Sequence, residues 1–215
     1  TLQGGWVGLD NYRTLLATGE FWSALWNTLV WTVGTLALQI LFGVGMALVL
    51  HQNIWFRSLA RSLILFPYFI STVVAVLVWK WLFNDLYGIL KYFPFVVIAV
   101  LARLQTIPEA LYEAARIDGA GPVARFWDVT LPQLRDVLVV IVMLRAIWDF
   151  KEFDLLWLLT GGGPSGATQT LPILVYRQAF GLNQLGMASA YAVVMMAILL
   201  AFMLAYIRRT RREDA

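Results

Sequence analysis

Arg145, Trp148, Asp149 and Glu152 fall within eight residues of one another, in a stretch otherwise dominated by apolar side chains. The three charges are spaced i, i+4 and i+7, so on a helix they share one face with the indole. Two carboxylates and a guanidinium can bond the hydroxyls of a polyhydroxylated ligand while a tryptophan stacks on its pyranose ring. The same residues can instead form a structural Arg145–Asp149 pair that stabilises helix packing, and spacing alone leaves both options open. Lys151 and Asp154 fall on other faces and read as structural. Covalent and metal chemistry find no support. The chain has one histidine and no cysteine, which excludes disulfides and thiolate metal sites. His51 ends an apolar run and reads as an interfacial residue, so no nucleophile–base or metal constellation can be assembled, and an intramembrane enzyme is not indicated.

The elements that must position these residues are membrane spans. Of 215 residues, 60% are apolar, 14% aromatic and only 13% charged, against about 25% charged in soluble domains. No charge occurs over residues 21–56, 62–79, 155–176 or 178–207. A spanning helix needs roughly 20 mostly apolar residues to cross about 30 Å of hydrocarbon. The chain is therefore an all-α, polytopic transmembrane helical bundle. Its net charge of +3 is no sign of nucleic-acid binding. Arg208, Arg209, Arg211 and Arg212 follow the last apolar run directly and anchor it on the cytoplasmic side.

A first span is expected over residues 22–50, with Thr28, Thr32, Gly34, Thr35, Gly43 and Gly45 allowing close helix approach. Arg57 and Arg61 place its end in the cytoplasm. A second span over 62–83, kinked at Pro67, leads to an external loop at 84–91. Between Lys91 and Arg103 only eleven uncharged residues remain, interrupted by Pro94. At 1.5 Å per residue they reach about 16 Å, half a bilayer. Either a re-entrant half-helix lies here or a segment is missing between about 90 and 93, and the second is preferred. A further span is expected over 137–160, which places Arg145 and Asp149 about 12 to 18 Å along the helix, near mid-membrane. Ionisable groups at that depth must face protein or a wet cavity. Gly161–Pro164 should end that span, with a short interfacial helix at 171–180 and a last span at 187–207. The chain begins at Thr1, not Met, and is read as lacking an earlier first span.

Residues 107–134 form a polar island among these spans. Glu109 to Ile117 are helix formers entered through Pro108 and stopped by Gly119. Pro122 suits the first turn of a second short helix, expected to end at Leu131-Pro132. Its apolar side chains exceed what a solvated loop needs, and an exposed apolar patch with a charged rim makes a docking knob.

The island carries a specific pattern. Glu113-Ala114-Ala115, three residues, Gly119, nine residues, then Val129-Thr130-Leu131-Pro132 resembles the EAA loop of bacterial binding-protein-dependent ABC importer permeases, with Val129 where isoleucine is usual. EALYEAARIDGAG, LPQLR and LLTGGGP, with WVGLDNYRTLL and LFPYFISTVVAVLVWKWLFN, are similar to the carbohydrate-uptake branch that serves maltose, other oligosaccharides and glycerol-3-phosphate. The resemblance covers nearly the whole chain, but the first span and some thirty to forty residues near 90–93 have no counterpart here. It implies a single permease domain over 1–215, of the type I ABC importer kind, in the bacterial cytoplasmic (inner) membrane. The island would be the coupling helix, with Glu113, Ala114, Ala115, Arg116, Asp118, Gly119, Leu131 and Pro132 meeting an ATPase. Glu113 would face basic residues there and Gly119 would permit the tight turn. Implied partners are a second homologous permease, two ATPase subunits and an extracytoplasmic solute-binding protein. The stripe at Arg145, Trp148, Asp149 and Glu152 would line the translocation cavity. The chain has no GxxxxGK[ST], and GGGP lacks the lysine that cradles phosphates, so ATP and Mg belong to the ATPase and this subunit is expected to be non-catalytic. The alternative is a secondary, ion-coupled transporter, whose signature would be inverted repeats and broken helices at mid-membrane.

Overall fold

The computed structural model describes residues 7–52, 62, 74 and 88–213. All regular structure among them is helical. The helices are α1 (Asp10–Ala17), α2 (Gly19–His51), α3 (Gly88–Leu104), α4 (Glu109–Ile117), α5 (Pro122–Arg125), α6 (Leu131–Phe150), α7 (Asp154–Thr160), α8 (Leu171–Tyr176) and α9 (Leu185–Glu213), with π turns at Phe126–Thr130 and Arg177–Gly181. α2 and α9 are each long and apolar enough to cross a membrane. The span expected over 62–83, its Pro67 kink and the start of the 84–91 loop lie outside the described residues.

The chain divides into two units, one of Thr1–Gly34 with Ala146–Ala215, the other Thr35–Arg145. In the first, Leu15, Phe21, Ala24, Phe150, Leu171, Leu174, Ala190 and Tyr191 form the core. Polar groups of α2 fasten the connection between α7 and α8 to it. Asn27 Nδ2 donates to the carbonyls of Gly166 and Gln169, at 3.2 and 3.1 Å. Thr28 Oγ1 donates to Ala24 O at 2.7 Å and accepts from Leu171 N at 2.8 Å. Gln169 bridges two charges, donating to Glu20 Oε1 and accepting from Arg177. Gly161 and Gly162 take φ of 60° and 87° to turn the chain out of α7. The short helix expected at 171–180 is present, and Leu171, Pro172, Ile173 and Leu174 are buried, so its leading turn is packed into the core of its unit. Its four leading residues are all apolar or proline, which suits burial.

In the second unit, Ala47, Leu50, Val96, Val100, Leu104, Leu134 and Ile141 are sealed against one another. Gly43 is where α2 and α3 come closest, and a Cβ there would overlap Val96, whereas Gly45 faces open space. Thus only one of these two glycines is required by packing. The helix across Pro94 begins at Gly88, inside the expected loop, and its 17 residues reach about 25 Å, well beyond half a bilayer.

Two other expectations are corrected. Leu131-Pro132 does not end a helix, because the chain runs from Pro122 to Phe150 without a break. Proline lacks an N–H and crowds the carbonyl four residues back, and the π turn just before it widens the helix to accommodate both effects. Leu131 N reaches Phe126 O across that turn. Nor is 137–160 one helix, since it breaks at 151–153. Glu152 Oε1 accepts from Leu155 N at 3.2 Å, satisfying a donor that the interruption exposes.

Substituting Gly43→Ala is expected to destabilise the chain by about 1–3 kcal/mol through overpacking, while Gly45→Ala is neutral or slightly stabilising. Thermal unfolding of both variants in the same detergent, followed by helical circular dichroism, checks the difference.

Candidate functional site

α4 ends as the sequence reading expects. Asp118 N bonds Ala114 O, Gly119 N bonds Arg116 O at 3.1 Å and Ala120 N bonds Ala115 O at 2.8 Å. The last two are the paired bonds of a Schellman stop, which needs a left-handed residue at its turn. Gly119 supplies it with φ of 80°, and no atom lies within 4 Å of where its Cβ would sit. The requirement for glycine is therefore one of backbone conformation and not of space. α5 then starts at Pro122, where the ring fixes φ and a missing N–H costs nothing.

The island has two faces. One is exposed and apolar: Ile117 is 86% accessible, Val123 71% and Trp127 60%. Glu113, Ala114, Arg116, Asp118 and Gly119 are exposed beside it, Ala115 is half-buried, and the Glu113 carboxylate has no partner among the described residues. The other face turns to the helices. Tyr112 Oη and Thr130 Oγ1 share a hydrogen bond at 3.1 Å, and Thr130 is buried. Arg116 leans back toward Glu109 Oε1 at 3.4 Å. At the base of the island Arg103 clamps α3 to the start of α6, giving bonds to Gln133 O at 2.9 Å and Gln133 Oε1 at 3.0 Å. Leu131 is half-buried and Pro132 exposed at that junction.

The charged stripe of α6 divides by exposure. Arg145 has no accessible surface, and its Nε donates to the equally buried Gln39 Oε1 at 2.6 Å. Asp149 is buried as well, Trp148 is 38% accessible, and half-buried Glu152 serves the start of α7. The Gln39 partnership was missed in the sequence reading. Its signal was available: Asn27 and Gln39 are the two amides deep inside the charge-free run of 21–56, and each bonds a segment more than a hundred residues away. No group of three or more His, Cys, Asp or Glu residues that could hold a metal occurs among the described residues.

Residues 39–212 match the family described as "Binding-protein-dependent transport system inner membrane component". The chain belongs to this family. A probable ABC transporter permease protein of Brucella suis is 32% identical, over 95% of this chain and 82% of its own length. The trehalose/maltose transport system permease protein MalF of Thermococcus litoralis is 31% identical, over 96% and 81%. A bacterial ABC transporter involved in import of the acidic polysaccharide alginate shares the fold at 22% identity, with a TM-score of 0.83 over 98% of this chain and 86% of that one. A further structure of such a transporter, holding an alginate pentasaccharide-bound periplasmic protein, aligns with a TM-score of 0.82 over 96% of this chain and 83% of that one. As an ABC transporter permease, the chain has an all-α membrane fold.

Two outcomes test this geometry. Gly119→Ala forces a Cβ into a left-handed conformation and should cost about 1–2 kcal/mol, with Gly119→Asn milder, since asparagine tolerates that region. Gln39→Leu should cost about 1.5–3 kcal/mol by removing a bond to a buried cation. Equilibrium unfolding of each variant against wild type in one detergent measures both.

Proposed function

We propose that this permease is the transmembrane subunit of an ATP-driven importer of carbohydrate-class solutes in a bacterial cytoplasmic membrane. It forms half of the translocation path and is moved through its 107–134 loop by a cytoplasmic ATPase. The observation that carries this reading is the island's exposed face. Three large apolar side chains, Ile117, Val123 and Trp127, stand exposed beside Glu113, which has no partner among the described residues, on a segment bounded by a glycine stop and a clamping arginine. Such a patch on a membrane protein fits a protein partner. Glu113, Ala114, Arg116, Asp118 and Gly119 would line the contact. Ala115, Leu131 and Pro132 would carry force into α6, which continues from the π turn without a break.

The names of the relatives support a sugar-type cargo, and the alginate assembly with its periplasmic protein supports an extracytoplasmic binding protein as donor. The rest of the assembly would be a second homologous permease and two ATPase subunits, which hold ATP and Mg; this chain itself would be non-catalytic. Closure of the ATPase pair would draw the coupling helices together and favour the outward-open state, and hydrolysis would restore the inward-open one. The single domain would lack a segment near 90–93. That the matched stretch of the Brucella relative runs over 237 residues, more than the chain's 215, supports this.

For the substrate path we place Trp148 and Glu152 at the ligand, because they keep accessible surface at the edge of the helix break. Asp149 lies within one turn of both. Arg145, anchored on Gln39, would hold α6 in place and not touch cargo.

Uptake of radiolabelled sugar into proteoliposomes containing the whole assembly separates these roles. Glu113→Lys should uncouple, with uptake falling at least tenfold while the permease still inserts. Asp149→Ala and Glu152→Ala should abolish uptake and leave basal ATP hydrolysis intact. Wild-type uptake in Glu113→Lys would discard the docking role, and wild-type uptake in the other two would remove them from the path.

A further inference from the structure

Behind the island, on the face turned away from Ile117, Val123 and Trp127, lies an open cavity of about 660 Å³. It is bounded by the last turn of α2, the end of α3, and α4, which bends 70° from the helical segment Pro94–Leu104. Its polar lining includes Glu109, Tyr112, Arg116, Arg125 and Thr130, with His51, Gln52 and Gln105 beside them. The charges do not cancel. Glu109 is matched by Arg116 at 3.4 Å, which leaves the Arg125 cation over. Arg125 Nε is shielded from solvent and has no hydrogen-bond partner among the described residues, although a shielded donor on a cation is costly to leave unsatisfied. The remaining lining is largely apolar, from Leu48, Leu104, Ile107 and Phe126. A basic corner beside a greasy wall, where two apolar helices end, suits an amphiphile.

We propose that this cavity holds the phosphate group of an anionic phospholipid from the cytoplasmic leaflet, with Arg125 as its principal ligand. The planar guanidinium fork matches phosphate oxygens. Tyr112 and Thr130 add hydroxyls, His51 adds an imidazole at the rim, and Glu109 is kept from repelling the anion by its pairing with Arg116. The glycerol and first methylenes lie along Leu104, Ile107 and Phe126. A free phosphate ion offers the same oxygens but would leave that wall unused. Basic pockets between transmembrane helices on the cytoplasmic side are recognised lipid-headgroup sites. Occupied, the site braces α4 against α2 and α3 from behind, so a lipid sets the stiffness of the island. This inference does not depend on what the exposed face of the island binds.

The test uses the purified full-length chain in nanodiscs of phosphatidylglycerol and phosphatidylcholine in equal amounts, with retained lipid counted by native mass spectrometry. Wild type should keep phosphatidylglycerol over phosphatidylcholine by about tenfold, the worth of one strong charge-assisted contact. Arg125→Gln should bring the two lipids to parity, while Arg13→Gln, which alters an exposed arginine on α1, should keep the preference. Millimolar inorganic phosphate should not displace the lipid. Equal retention of both lipids by wild type, which needs no variant to fold, overturns the proposal. So does an unchanged preference in Arg125→Gln, or displacement by inorganic phosphate, which would assign the cavity to a free anion.

Discussion

Hydrocarbon offers no water to a polar group, so a helix in a bilayer must satisfy each one internally or from a neighbouring helix. This permease shows that constraint at several places among the described residues. Thr28 bonds its own helix and also takes the first N–H of α8. Asn27 holds two carbonyls of the connection before it. Gln39 receives Arg145, a cation with no access to solvent. Where α6 gives way to α7, Glu152 takes up a freed amide. Each contact ties one helix to another segment, so the bonds that make the polar groups tolerable also fix how the helices pack.

The island obeys the opposite rule. It lies outside the apolar runs, and there large apolar side chains stand exposed among the charged ones. Ile117, Val123 and Trp127 could fold inward only if α4 and α5 were longer or differently joined. Instead the left-handed Gly119 turns the chain so that they remain outside. The inward face is occupied by Tyr112, Thr130 and the cavity around Arg125. One short segment therefore presents a greasy surface outward and a polar one to the helices it adjoins, and the helical run from Pro122 continues without a break to Phe150.

Much of this was legible in the sequence. Charge-free length located α2 and α9 to within a few residues, and Pro108, Gly119 and Pro122 bounded α4 and the start of α5, because glycine and proline act through the backbone alone. The interruptions were harder to read. Pro132 looks like a stop, but a π turn, which depends on hydrogen-bond register, carries the helix through it. The break at 151–153 sits in a stretch whose acidic residues read equally well as ligand contacts or caps. One partner of Arg145, Gln39, lies 106 positions away, beyond any local pattern. Burial of 171–174 likewise depends on what packs over it. The division of the charged stripe into buried and accessible members was not legible either.

The central claim is that the apolar face of the island meets a cytoplasmic ATPase, and the absence of cysteine from the chain makes a direct measurement simple. A single cysteine at Ile117, in the assembled transporter within sealed inverted vesicles, should crosslink to the ATPase subunit, with a yield that changes on adding ATP. The same cysteine at Asn27 should give no such product. If instead the residue-117 cysteine reacts with an impermeant maleimide in intact cells, or gives no ATPase crosslink in an active assembly, the island does not couple this permease to its energy source.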